Sequence, residues 1–175
     1  MTYSSAVAYL YRLQKHGIKL GLETMTALTV RLGMPQNRYR TLHIAGTNGK
    51  GSTAATAAAI LQAAGYRVGL YTSPHLVSWR ERFRIDGTLV AEEALVAALR
   101  AMQPEIERLR RDPDLCPSFF DVSTALALAL FRDAGVDVRR ARVVDAERLA
   151  DRASDAHARA QGGRGILRHV GDLPP

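Results

Sequence analysis

Residues 43–53 read His-Ile-Ala-Gly-Thr-Asn-Gly-Lys-Gly-Ser-Thr. Two glycines allow the backbone to curl and turn its N–H groups inward, and the lysine that follows can reach over terminal phosphates. The spacing departs from the common G-x-x-x-x-G-K-[ST] pattern. Only two residues separate Gly46 from Gly49, and Gly51 stands between Lys50 and the hydroxyls of Ser52 and Thr53. The flanks suit a phosphate loop. Tyr39 to Ala45 reads as a strand, and Ser52 to Ala64 as a helix stopped by Gly65. A strand, a glycine-rich turn and a helix in this order predict a nucleotide-binding α/β protein that uses ATP. An ordinary glycine-rich turn is the alternative reading.

A second stretch with chemistry is Thr72-Ser73-Pro74-His75-Leu76, at the end of a second strand, Arg67 to Tyr71. Strand, helix, strand predicts a parallel pair with a right-handed crossover. Ligands bind at the carboxyl edge of such a sheet, so both stretches should face one crevice.

The remaining elements position these two. Tyr3 to Lys15 and Glu23 to Leu32 read as helices, joined by the loop Gly17-Ile18-Lys19-Leu20-Gly21-Leu22. Arg82 to Ile85 alternates and turns at Asp86-Gly87. Ala91 to Arg111 is an amphipathic helix with Leu95, Leu99 and Ile106 among its apolar positions, and Phe120 to Phe131 reads as another. After Val136-Asp137-Val138 a third parallel strand should follow as an apolar run. The chain instead gives Arg139-Arg140-Ala141-Arg142, a polar helix-like run and a glycine-rich stretch. Val143-Val144 is too short to predict a strand with, so the third strand is expected to be missing. That leaves the helices over 91–111 and 120–131 short of apolar surface and predicts a marginal fold.

Composition narrows the function classes. The 175 residues suit one domain, with 47% hydrophobic and 23% charged residues. The single cysteine, Cys116, excludes an internal disulfide and fits a reducing cytoplasm. No apolar run is long enough to span a bilayer, and the N-terminus lacks a signal-peptide pattern. The net charge of +7 is spread, with 16 Lys+Arg in residues 1–135 and 8 in 136–175, and no recognition module accompanies it. The expected partners are anionic small molecules, with neither nucleic acid nor membrane.

GTNGKGST, then YTSPHL, then ERFRIDG, preceded by GIKLGLE and followed by SFFDVSTALAL, resembles the folylpolyglutamate synthase and dihydrofolate synthase family of Mur-ligase-like enzymes. The resemblance runs from residue 3 to about 138. It implies a P-loop-containing α/β domain, a parallel sheet flanked by helices, here truncated. It also implies a monomeric ATP-dependent amide ligase that adds L-glutamate to dihydropteroate or folate, with ATP and Mg2+. A non-catalytic nucleotide- or pterin-binding remnant is the alternative. A different phosphate-loop enzyme, such as a kinase, leaves YTSPHL and SFFDVSTA unexplained.

Carried over by position, the resemblance assigns Thr47, Asn48, Gly49, Lys50, Gly51 and Ser52 to ATP phosphates, with Lys50 as the catalytic cation. Ser73 is assigned to magnesium. Ile18, Lys19, Leu20, Ser118, Phe119, Phe120 and Asp121 fall in segments that line the pterin pocket, and Arg82 matches an arginine near the site. Asp121 stands where the family usually has Glu. Arg82 reads equally as a surface charge, and His75 equally as a loop-packing residue.

Beyond residue 138 the resemblance stops. Residues 1–138 are read as an incomplete ATP-binding domain, and 139–175 as a divergent tail, disordered or read out of frame. Ungapped counting puts Arg142 at the position of the family's magnesium-binding glutamate, and an arginine would repel the ion. Glu147 and His169 lie in contexts that do not match. This chain is therefore expected to be inactive or impaired.

Overall fold

The structure is a computed structural model that describes residues 1–13 and 21–137, together with the backbone of Arg142–Asp145. Helix α1, Tyr3–Arg12, starts at a reciprocal cap between Thr2 and Ser5 and buries Ala6, Tyr9 and Leu10. Helix α2, Glu23–Arg31, buries Leu28 on the same core. Strand β1, Leu42–Ala45, leads through the glycine loop into helix α3, Lys50–Ala63. Strand β2, Gly69–Tyr71, is followed by a tight 3-10 turn at Trp79–Arg82, by β3, Phe83–Ile85, and by β4, Thr88–Leu89. Asp86 and Gly87, at φ 49° and 77°, form the two-residue hairpin between β3 and β4, the left-handed geometry that Asp-Gly supports. Helices α4, Glu92–Leu109, and α5, Phe119–Asp133, complete the main body. Strand β5, Arg142–Asp145, follows them.

The core lies where α4 and α5 meet α1, α2 and the β2–β3–β4 hairpin sheet. Leu95, Leu99 and Ile106 of α4, Val122 and Leu126 of α5, and Phe83 of β3 are fully buried. Each such side chain contributes about 1.5–3 kcal/mol relative to exposure. The expected shortage of packing surface for these helices is therefore not observed. They are buried against each other and against α1 and α2. Helix α3 is the lightly packed one, with Ala58 its one buried residue among those described.

Two strand expectations are corrected. First, β1 and β2 do not pair. β2 joins β3 antiparallel, with Gly69 opposite Ile85 and Tyr71 opposite Phe83, while β1 belongs to a separate two-stranded sheet. A crossover helix brings two strands to the same side of the fold without requiring that they be neighbours. Second, a strand does form after residue 138. β5 pairs parallel with β1, Leu42 opposite Arg142 and Ala45 opposite Asp145. The short Val143-Val144 core suffices because an existing strand edge templates it.

Candidate functional site

The glycine loop is shaped by backbone geometry that only glycine adopts without strain. Gly46 sits at φ 139° and Gly49 at φ 73°. Gly49 is also the N-cap of α3, and it supplies no capping side chain. No acidic residue stands in the first turn, so the N–H groups of Lys50, Gly51 and Ser52 keep their positive end of the helix uncompensated by a side chain. The Lys50 ammonium folds back to donate to the carbonyl oxygens of Gly46, at 2.6 Å, and Thr47, at 2.8 Å. It thereby ties the loop closed and holds a positive charge at its rim.

Ser73 is exposed on the turn that follows β2. It lines the same cavity as Lys50 and Gly51, a space of about 460 Å³ between the β1 and β2 segments with α3 and α5 along its walls. The two stretches singled out for chemistry thus share one cavity, as their position at strand ends predicts.

Arg82, His75, Phe119 and Phe120 meet at the Thr72–Leu76 turn. Arg82 is 4% exposed, so it is not a surface charge. Its guanidinium lies 5.2 Å from the centre of the Phe119 ring and 5.8 Å from that of Phe120, within cation–π range. Its Nε donates to Nδ1 of His75 at 2.8 Å. A guanidinium can only donate, so Nδ1 accepts and the neutral ring carries its proton on Nε2. Nε2 then faces the Tyr11 hydroxyl at 3.0 Å. Burial first, and the Arg82 charge second, hold His75 below the ordinary imidazole range. One Arg82 nitrogen, Nη1, is buried with no hydrogen-bond partner.

Ser118 and Asp121 serve the helix. Ser118 donates to the Asp121 carboxylate through N–H, at 2.8 Å, and through Oγ, at 2.7 Å, and it accepts from the Asp121 N–H in return. This reciprocal cap starts α5. Phe119 is 2% exposed and stacks on Tyr11, with centroids 5.4 Å apart, whereas Phe120 is 56% exposed. Of the SFFD segment, Phe120 is the side chain open to a ligand. Ile18, Lys19 and Leu20 lie outside the described residues.

Two residues of this site escaped the sequence reading. Glu81 accepts from the N–H groups of Leu76, Val77 and Ser78, which pull its carboxyl down to about 2. Ser78-Trp79-Arg80-Glu81 is a capping-box pattern, and it was the available signal. Tyr11 had none, since its partners are distant in sequence. The register also relates the backbone of β5 to the loop. Arg142 is level with Leu42, and Asp145 is level with Ala45, the residue before the phosphate loop.

No family model matches the chain. Curated relatives do. The dihydrofolate synthase/folylpolyglutamate synthase of Bacillus subtilis is 38% identical over 131 residues, which is 75% of this chain and 30% of that protein. Among solved structures, folylpolyglutamate synthase of Thermotoga maritima is 42% identical with a TM-score of 0.74, over 82% of this chain and 32% of that one. A folylpolyglutamate synthase–AMPPCP–folate complex is 37% identical with a TM-score of 0.70, over 83% of this chain and 35% of that one. The chain spans about a third of the length of these relatives.

Proposed function

The chain belongs to the folylpolyglutamate synthase/dihydrofolate synthase family, matching its N-terminal part, and from that premise we propose that residues 1–138 carry the ATP site of a glutamate-adding ligase. The reaction is ATP-dependent formation of an amide between L-glutamate and the carboxylate of dihydropteroate or folate. The setting is the cytoplasm, the acting form is a monomer, and the partners are these small molecules.

The observation that carries this reading is that Lys50, Gly51 and Ser73 line one cavity, which starts at the positive end of α3 and runs along that helix to Leu61. The loop amides and the helix end suit phosphate oxygens. Lys50 is placed to exchange its two carbonyl bonds for a phosphate and so balance the charge that builds on a transferring phosphoryl group. The carboxylate substrate takes the phosphoryl group, the glutamate amine displaces phosphate from the resulting acyl phosphate, and the amide remains. At the Thr72–Leu76 turn, Phe120 offers an exposed ring to a flat aromatic ligand, and buried Arg82 fixes both rings beneath it.

For magnesium, the Ser73 hydroxyl at the cavity is an oxygen donor of the kind that suits a hard cation. Bound there, the ion would screen phosphate charge. Among the described residues, no cluster of three or more His, Cys, Asp or Glu forms a metal cage of its own. No helix of the described residues is long and apolar enough to cross a membrane.

A titration with a non-hydrolysable ATP analogue tests the phosphate site. A charge-assisted hydrogen bond contributes about 1.5–3 kcal/mol, so Lys50→Ala is expected to weaken binding by about 10- to 150-fold. Binding that is indifferent to Lys50 refutes the assignment. Glutamate incorporation is measured separately, and little or none is expected from this chain alone. Turnover at the rate of a full-length relative would overturn that expectation.

A further inference from the structure

We propose that the Tyr11 hydroxyl is a hydrogen-bond donor to an acceptor atom on the edge of a flat heteroaromatic ligand, and that buried Arg82 fixes its polarity through His75. The ligand named here rests on the ligase reading and its exposed Phe120; the polarity of the hydroxyl does not.

Four segments close a ring of contacts around this hydroxyl. Tyr11 stands on α1, His75 in the Thr72–Leu76 turn, Arg82 at the end of the 3-10 turn and Phe119 at the start of α5. The Tyr11 hydroxyl is 3.0 Å from His75 Nε2, and His75 Nδ1 is 2.8 Å from Arg82 Nε. The Arg82 guanidinium lies 5.2 Å from the centre of the Phe119 ring, and that ring stacks on Tyr11 with 10° between their planes. Tyr11 is thus held twice, by its oxygen and by its ring face.

The direction of the hydrogen bonds follows from the chemistry of the guanidinium, which has donors only. His75 Nδ1 must accept. The remaining ring proton is then on Nε2 and is donated to the Tyr11 oxygen. The phenolic proton is left over. Among the described residues the Tyr11 hydroxyl makes no other hydrogen bond, and the residue is 41% exposed. The relay therefore runs outward, from a buried cation to a donor at the surface.

Charge strengthens it. A bond donated by a cation polarises the imidazole, and the imidazole in turn polarises the phenol. Tyr11 becomes a better donor and a poorer acceptor than a tyrosine in water. Phe120 sets its exposed ring edge-on to Phe119, with centroids 5.5 Å apart, so an apolar face and a directed donor both border the same residue. A carbonyl oxygen or an imine-type ring nitrogen satisfies such a donor. A hydrocarbon edge of the same shape does not. Phe120 supplies a surface for any flat ring, and Tyr11 selects rings that carry an acceptor.

Equilibrium binding to the full chain tests this with two probes, folate and an analogue in which naphthalene replaces the pteridine. Tyr11→Phe keeps the ring on Phe119 and removes only the hydroxyl. It should weaken folate binding by about 2- to 12-fold and leave the analogue unchanged. His75→Leu, which cuts the relay behind an intact hydroxyl, should show part of the same folate-selective loss. Phe120→Ala should weaken both probes alike. Folate affinity that survives Tyr11→Phe, or a loss shared by both probes, overturns the proposal, and the aromatic site still stands if Phe120→Ala weakens both. Full folate affinity in His75→Leu overturns the role given to Arg82. If Phe120→Ala has no effect while the Tyr11 loss stays folate-selective, the Phe120 part of the ligase reading fails and the donor is upheld. A chain that binds neither probe overturns the ligand assignment. Nitrogen NMR of His75 checks the polarity without ligand. A protonated Nε2 with a bare Nδ1 is expected, and a proton on Nδ1 overturns the relay.

Discussion

Gly69→Ala is the sharpest test of how β2 sits on α5. An added Cβ at this position would lie 2.5 Å from Cδ1 and Cγ of Phe131 and 2.8 Å from its Cδ2. Real Cβ atoms do not approach an aromatic ring so closely, so either the ring or the strand must move. The ring is confined on one side and borders the cavity on the other. Phe131 is 6% exposed, and Tyr39 packs against it edge-on with centroids 6.4 Å apart. Overpacking of this kind costs about 1–3 kcal/mol. Against it stands the gain from replacing a strand glycine, about 0.5–1 kcal/mol. The net expectation is a loss of about 1–2 kcal/mol, and with it a fall in Tm of about 2–8 °C for a chain of this size. Urea unfolding gives the free energy, and the unchanged m-value would show that the compactness of both states is retained. The double variant Gly69→Ala with Phe131→Leu should recover at least part of the first loss relative to Phe131→Leu alone, because the smaller side chain makes room. A Gly69→Ala protein as stable as the parent, or additivity in the double variant, would refute the claimed contact.

Two further predictions concern the turns that frame the site. Ser118→Ala removes the reciprocal cap of α5 and should cost about 0.5–2 kcal/mol in urea unfolding, with Ser118→Gly milder by several tenths. The Glu81 clamp should show in acid. Its folded carboxyl lies at about 2, below its ordinary value, so the unfolded chain binds the proton more readily. Its contribution is present above the unfolded value of about 4.5 and is lost as pH falls toward 2. Glu81→Gln should flatten that part of the stability–pH curve, and a profile identical to the parent's would count against the clamp.

The local features were legible because they rest on neighbours in sequence. The glycine loop, the Asp86-Gly87 hairpin and the helices over α4 and α5 are set by backbone preferences and by apolar spacing. What escaped was non-local. The neighbours of β2 were misassigned, because strand order is decided by packing across the sheet and βαβ order alone does not specify adjacency. β5 was missed because two valines in an arginine-rich stretch carry little strand signal until β1 offers an edge. Ungapped counting put Arg142 at the position of the family's magnesium-binding glutamate; in the structure Arg142 is level with Leu42 and Asp145 with Ala45. Arg82 was ambiguous for a related reason. Its burial depends on Phe119 and Phe120, which lie more than thirty residues away.

Helix α3 has a consequence for how ligands would be felt. It carries the loop's lysine, and among the described residues Ala58 is its one buried residue, while the buried core lies in α4, α5 and their partners. Light packing of this kind predicts that the loop and its helix open at lower free energy than the core. A ligand held there adds RT ln(1 + [L]/Kd) to the forms that retain the site, about 2.7 kcal/mol at a hundredfold excess over Kd. That stabilisation first raises the cost of local opening. It reaches the global transition only to the extent that α3 and the core unfold together. The increment that saturating nucleotide adds to global stability, set against this ceiling, would thus measure how tightly the phosphate site is coupled to the rest of the molecule.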